Sequence, residues 1–530
     1  MPRLHHRNVN ELWLLSKFFI KLGHSTVQDS RNKLICYRFF STVWKDPKYD
    51  IQRVESNRRT MKEVFSSNSN TSRQEMQHLL DEIFIEDAHP KYDYLNVATL
   101  ATIFHCAARN QLKLPLKPFI ARLLSREEDA SAVDFWKLVY GLKAYKCLQF
   151  HASKDVLDLM SAIILRIRST KEVVDVRAIS IALFGLQNCS SYHQQVLDLI
   201  AVITPKIESC RGEMDPQNIG NALFGFRSMT SDFQEVRYVL RLLAPRIESC
   251  SKELSAQEVS NALFGLKGMS SEHEEVRAIL VALAPKIRWC NDQFSSQNVG
   301  NSLFGLKNMS SHHREVREVL RALTAKIHRS QQEMRALEVG NSLYGLRNMN
   351  SNYEEVRSVL DALAGKIPSC CEDLDAQSIG DALFGLKNMS SDHAEVRLVV
   401  LALAKALKTC RERLRTHHLS MALSGLQNMR SECWEVRQLL SELLPLVQSS
   451  SDRFSSVAVS GSLFGFRCMS DEHREVLDLI VALTPKVEAV QREISATHAK
   501  IALIGLQKMD TKRPEVQSLR KILLLRSRMN

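Results

Sequence analysis

Glycine and proline are scarce, 19 and 13 in 530 residues, which excludes collagen-like and Pro/Gly-rich low-complexity chains. No stretch of 18 uninterrupted apolar residues occurs, so the sequence offers no membrane span. Walker-type glycine loops, GxSxG and HExxH are all missing, and with them the residue sets for phosphoryl, acyl or zinc-protease chemistry. None of the 12 cysteines forms a CxxC; Cys210, Cys250, Cys290, Cys370 and Cys410 instead fall at multiples of 40 residues. One thiol per structural unit is beyond disulfide reach of the next and lacks the partners of a zinc site. The chain is expected to be non-catalytic, with neither metal nor cofactor.

A charge excess is missing from the body as well. The net charge is +12, but residues 1–60 carry +7 and residues 511–530 carry +5, which leaves 53 basic against 53 acidic residues between them. A phosphate-binding surface there has to come from sorting charges onto different faces.

What is present is an internal period. Asn221-Ala-Leu-Phe-Gly-Phe, Asn261-Ala-Leu-Phe-Gly-Leu, Asn301-Ser-Leu-Phe-Gly-Leu, Asn341-Ser-Leu-Tyr-Gly-Leu and Asp381-Ala-Leu-Phe-Gly-Leu recur every 40 residues. Looser copies begin at Ile181, Met421, Gly461 and Ile501, and weaker ones lie near Tyr140 and Phe104, about 11 units in all. Within one unit, Ser255 to Glu258 reads as a capping box before a helix A with Val259, Ala262, Leu263, Leu266 and Met269 on one face. Ser271 to Glu274 reads as a second box, before a helix B with Val276, Ile279, Leu280 and Leu283. Pro205, Pro245, Pro285, Pro445 and Pro485 share one column, expected to kink or break the last turns of helix B.

Two short helices cannot bury their apolar faces alone, so units must stack. The expected fold is all-α: an α-solenoid, coiled as a right-handed superhelix, over residues 91–530. Residues 1–60 are a basic extension and 61–90 a linker with a lead-in helix from Gln74. The glycines at 225, 265, 305, 345, 385, 425, 465 and 505 read as mid-helix residues kept for close helix approach. The preceding Phe224, Phe264, Phe304, Tyr344, Phe384 and Phe464 read as wedges into the neighbouring unit. His193, His273, His313, His393 and His473 alternate with Phe233, Tyr353 and Cys433, which suits packing or capping.

A helical wheel puts two polar columns outward on helix A. Gln217, Gln257, Gln297, Gln377 and His417 form one; Asn221, Asn261, Asn301, Asn341 and Asp381 form the other. Amides repeated once per unit suit hydrogen bonds to base edges, with inter-repeat polar ladders as the rival reading. Arg227, Lys267, Lys307, Arg347, Lys387 and Arg467 lie beside them, placed for phosphate contact or for the helix dipole. A second basic column, Lys206, Arg246, Lys286, Lys326, Lys366 and Lys486, falls near the end of helix B, and Glu235, Glu275, Glu315, Glu355, Glu395 and Glu435 near its start.

The signature Asn261-Ala-Leu-Phe-Gly-Leu-Lys-Gly-Met269 followed by Val276-Arg-Ala-Ile-Leu-Val-Ala-Leu-Ala-Pro-Lys-Ile287 resembles the octotricopeptide-repeat family of organelle RNA-binding proteins. The resemblance implies an α-solenoid factor for single-stranded RNA, working with other proteins of an organelle ribonucleoprotein on transcript stability, processing or translation. It also implies that helix A faces the RNA. The first 50 residues, with Trp13, Leu14, Phe18 and Phe19 among scattered basic residues, read as a mitochondrial transit peptide, with plastid targeting or an ordinary cytoplasmic extension as alternatives. The rival function is an armadillo- or HEAT-like protein-binding scaffold.

Overall fold

The computed structural model describes residues 95–528, apart from 127–129 and 169, together with scattered positions between 73 and 84. The basic extension and most of the linker lie outside the described residues; the described positions from 73 to 81 are helical. Among the described residues there are 22 α-helices and no strand, with three isolated β-bridges.

The chain divides into two compact units. The first contains Val97–Arg109, Leu116–Leu124 and Ala132–Gly141, the helices that hold the two weak early copies of the repeat. Phe104, Phe119 and Phe135 are fully buried in it. The second carries the regular register as nine A/B pairs, from Val176–Gly185 with Gln194–Ser209 to Ala496–Gly505 with Pro514–Ser527. Each helix A packs on the next helix A and each helix B on the next helix B, so the pairs form two layers of an all-α solenoid.

Helix A is nine or ten residues long, too short to persist alone. Its start is fixed locally: the Ser255 hydroxyl accepts from the Glu258 amide while Glu258 accepts from the Ser255 amide, the expected capping box. The next unit adds a further cap, because Ala256 N donates to Asp292 Oδ2, Ser296 N to Gln332 Oε1 and Ala336 N to Glu372 Oε1, at 2.9 to 3.1 Å. Its end falls at the Phe-Gly step, so the glycine column closes helix A instead of lying mid-helix. Close approach is nonetheless its reason. A Cβ on Gly305 would sit 2.1 Å from Leu263 O, and the same clash recurs at Gly225, Gly265, Gly345 and Gly385. At φ −59° Gly305 is in ordinary helical space, so it is the neighbour's backbone that demands glycine.

Helix B departs from the sequence reading twice. It starts at Glu274 with His273 at the N-cap and no side-chain cap, so Ser271 is not a capping residue. Ser271 is buried, and its hydroxyl accepts from Ser310 N of the following unit at 2.9 Å. Equivalent bonds run from Thr230 N to Ser191, Ser270 N to Ser231, Asn350 N to Ser311, Ser390 N to Ser351, Arg430 N to Ser391 and Ser470 N to Ser431. Asp471 takes the role for Asp510 N. The column ties together the turns of neighbouring pairs, satisfying amides that would otherwise be orphaned.

The proline column does not break helix B, which runs through Pro205, Pro245, Pro285, Pro445 and Pro485. These prolines lie on the exposed or half-exposed side, where water can take the carbonyl each one frees. Helix B stops early instead at Ala364, where Gly365 replaces proline and a 3-10 turn over Ile367–Ser369 follows.

Candidate nucleic-acid interface

Three columns of helix A meet on one face. The aromatic column forms a ladder: Phe184, Phe224, Phe264, Phe304, Tyr344 and Phe384 stack in order with ring centroids 5.6 to 6.0 Å apart and planes 23 to 28° from parallel. The rings are half-buried and touch one another across units. A base inserted between two of them would need about 7 Å, twice the ~3.4 Å stacking repeat, so the ladder is packing, as the sequence suggested.

The cationic column lies over the rings. Lys267 Nζ sits 4.5 Å above the Phe264 centroid, Lys307 4.4 Å above Phe304 and 6.0 Å from Tyr344, and Lys387 4.9 Å above Phe384. Arg227 and Arg347 take the same place over Phe224 and Tyr344. Here the sequence candidates split into two kinds. Arg227 donates from Nε to Gln187 O (3.1 Å) and from Nη2 to Asn188 Oδ1 (2.7 Å); Arg347 does the same to Lys307 O (3.1 Å) and Asn308 Oδ1 (2.6 Å), and Arg467 to Gln427 O and Asn428. The arginines are clamps between units. Among the described residues, the ammonium groups of Lys267, Lys307 and Lys387 have no hydrogen bond and no salt bridge.

Their electrostatics show the strain of that arrangement. Burial lowers the Lys267 pKa, and the Arg227 charge lowers it further. Burial, then Lys267 and Arg347, bring Lys307 down to about 8, against a weak opposing pull from Asp381. Lys387 is lowered by burial and by Arg347. Like charges have been brought together with no carboxylate in salt-bridge contact, Asp381 acting only weakly from a distance, and an external anion would relieve the repulsion.

The amide columns flank this strip. Gln217, Gln257, Gln297, Gln377 and His417 are exposed; Asn221, Asn261, Asn301, Asn341 and Asp381 are half-buried. Gln257 Nε2 donates to Asn261 Oδ1 and Gln377 Nε2 to Asp381 Oδ2, each at 2.8 Å within one unit. Burial raises the Asp381 carboxyl despite that bond. Among the described residues no hydrogen bond joins one unit's column residues to the next unit's; Gln377 Oε1 instead lies 3.2 Å from Nε2 of His418, the buried neighbour of the column residue His417. The inter-repeat polar ladders are built from other residues: the Ser191–Asp471 column, and Asn308, Asn348, Asn388 and Asn428, whose side chains donate to Lys267 O, Lys307 O, Arg347 O and Lys387 O.

The second basic column is fully employed in stacking. Lys286 Nζ donates to Glu248 O and Cys250 O, Lys326 to Arg288 O and Cys290 O, and Arg246 to Ile207 O and Cys210 O, so each cation closes the carbonyl end of the preceding helix B. The glutamate column pairs across units, as in Arg277 with Glu315 (3.9 Å) and Arg397 with Glu435 (3.4 Å), partly exposed contacts each worth about 1 kcal/mol or less. The histidine column stands at the helix-B N-cap, His193 Nε2 lying 2.9 Å from Leu148 O and His313 Nε2 3.2 Å from Glu272. The cysteine column ends helix B, with Cys210, Cys250 and Cys290 buried and free. Among the described residues no three His, Cys, Asp or Glu side chains converge on a metal-sized site, and no helix is long and apolar enough to cross a membrane.

No protein-family model and no curated protein matches the sequence. Among structures, the chain is similar to a homology model of the full-length AP-3 complex in an intermediate open conformation, with TM-score 0.33, 10% identity, and 94% of this chain and 93% of that chain covered. It is also similar to yeast Rmd9p in complex with a 16-nucleotide target RNA, with TM-score 0.27, 10% identity, and 92% and 93% covered. At such scores neither likeness bears on function.

Proposed function

We propose that the chain is a helical-repeat protein that binds single-stranded RNA selectively through the helix-A face and acts on the stability, processing or translation of organelle transcripts. One observation carries the reading: lysines at 267, 307 and 387, uncompensated by any carboxylate in contact, stand in one column beside outward amides at the same step. Helical-repeat readers take about one base per repeat through two or three side chains, and this face offers an outward pair at that step, Gln257 with Asn261 and Gln297 with Asn301. Lysines would meet phosphates, which fixes position, while Gln257, Asn261, Gln297 and Asn301 would meet base edges, which fixes sequence. A single strand fits because an A-form duplex hides its base edges in a deep, narrow groove. The basic, acid-poor residues 1–60 support a mitochondrial setting.

The test is selection from a randomised single-stranded RNA pool on the full chain. A short enriched motif is expected, with Asn261→Ala and Asn301→Ala shifting the preferred bases while the fold survives. An unenriched pool, or equal affinity for a base-free polyanion such as heparin, overturns the reading, and the helix-A face would then belong to an acidic protein partner.

A further inference from the structure

The strand-binding face is bounded, and we infer that it holds about five nucleotides, on the pairs whose helices A span Pro216 to Gly385, with the remaining pairs serving only as supports. The inference rests on the helix-A face being the strand-binding surface. It goes further by fixing where that surface begins and ends.

The boundaries come from the amide and cation columns, which stop together at both edges, and from the ring column, which stops at the downstream edge and continues upstream to Phe184. Ring, outward carboxamide or carboxylate, and cation coincide in the sets Asn221/Phe224/Arg227, Asn261/Phe264/Lys267, Asn301/Phe304/Lys307, Asn341/Tyr344/Arg347 and Asp381/Phe384/Lys387. On the upstream side the equivalent positions are Ile181 and Gln187; on the downstream side they are Met421, Ser424 and Gln427. Both glutamines are turned inward onto backbone: Gln187 Nε2 donates to Phe184 O at 3.1 Å and Gln427 Nε2 to Lys387 O at 2.7 Å. At each edge, then, the place of the cation is taken by a neutral group already committed to a carbonyl. Arg467 lies beyond the downstream edge, in a pair where Gly461 replaces the outward amide, and is clamped to Gln427 O and Asn428 as Arg227 and Arg347 are to their neighbours.

The size follows from the step. Four ring-to-ring steps of 5.9 to 6.0 Å join Phe224 to Phe384. At about one base per helical repeat, the five outward groups on that path, Asn221, Asn261, Asn301, Asn341 and Asp381, give a site of about five bases, with Lys267, Lys307 and Lys387 left for phosphates. Beyond Lys387 the amide, ring and cation positions are Met421, Ser424 and Gln427, which offer neither charge nor an outward base-reading amide, and the exposed His417 of the other column stands there without a partner column. Added nucleotides there gain little.

The experiment measures the affinity of the full chain for single-stranded RNAs of three to twelve nucleotides cut from one selected motif, at fixed salt. Affinity is expected to climb steeply to five or six nucleotides and then stay within about twofold. A climb that continues to nine or more, the number of regular pairs, overturns the bounded footprint and leaves RNA binding intact. No binding at any length overturns the strand-binding reading and the footprint with it. A second pair of variants holds whatever the length series shows: Lys387→Gln should weaken binding several-fold and Lys500→Gln, on an exposed helix-A position outside the footprint, should not. Equal losses would place the strand over both. Finally, the triple variant Met421→Asn, Ser424→Phe, Gln427→Lys rebuilds the three columns in the next pair and should move the plateau out by one nucleotide; a folded variant with an unmoved plateau contradicts the assignment.

Discussion

Replacing Gly305 by alanine adds one methyl group where the structure leaves no room for one. The added Cβ would lie 2.1 Å from Leu263 O and 2.4 Å from Leu263 C, and these are backbone atoms that cannot rotate aside. Relief requires the two helices A to separate by about 1 Å, which loosens the ring stack and the buried Leu303 and Leu306 beneath it. Alanine's helix preference returns about 1 kcal/mol at most. Overpacking costs about 1 to 3 kcal/mol, and contact with backbone belongs at the upper end. The net expectation is a loss of about 2 kcal/mol, read as a lower urea midpoint by far-UV circular dichroism. Gly365→Ala supplies the control, since the nearest atom to its Cβ is Ala362 O at 3.8 Å and its φ is −71°; it should be neutral or stabilising by up to about 1 kcal/mol. Equal midpoints for the two variants would refute close approach as the reason for the column.

Ser271→Ala removes the acceptor for Ser310 N and should cost about 1 to 2 kcal/mol, whereas Ser302→Ala and Ser342→Ala remove buried hydroxyls that have no partner and should be neutral or stabilising by up to about 1 kcal/mol; denaturant melts of the three separate a rung from a passenger. The Lys307 amine titrates near pH 8 in the fold, below its ordinary 10.5, so the folded state favours the neutral form. The penalty for carrying its charge is present below pH 8 and is relieved as pH rises from 8 toward 10.5, while anion affinity moves the opposite way. RNA should bind more weakly at pH 9 than at pH 7 at constant ionic strength, and Lys307→Arg should flatten that dependence in a fluorescence titration.

The period, the two helical faces and the glycine contacts were legible because each leaves a residue type at a fixed position in every unit. Val259, Ala262, Leu263 and Leu266 are all buried as the helical spacing demands. The role of Ser271 was not legible, because Ser-x-x-Glu fits a capping box equally well; what decides is the helix start at Glu274, which leaves the hydroxyl facing the next pair. The persistence of helix B through Pro285 depends on which side faces water, a property of the stack and not of the local sequence. The split of the cationic column into clamps and unpaired lysines turns on reach: Arg227, Arg347 and Arg467 each find an Asn 39 residues earlier, at 188, 308 and 428, and a forked guanidinium can bond that amide and a carbonyl together. That 39-residue pairing is a signal the sequence did contain.

The central claim is that the lysine column on helix A meets phosphates. Its most direct test compares the salt dependence of single-stranded RNA affinity for the intact chain and for the Lys267→Gln, Lys307→Gln, Lys387→Gln triple variant. Three phosphate contacts, each releasing roughly 0.7 counterion on a single strand, predict a log–log slope shallower by about 2, weaker binding to every sequence, and an unchanged circular dichroism spectrum. A variant with the same slope as the intact chain would contradict the claim.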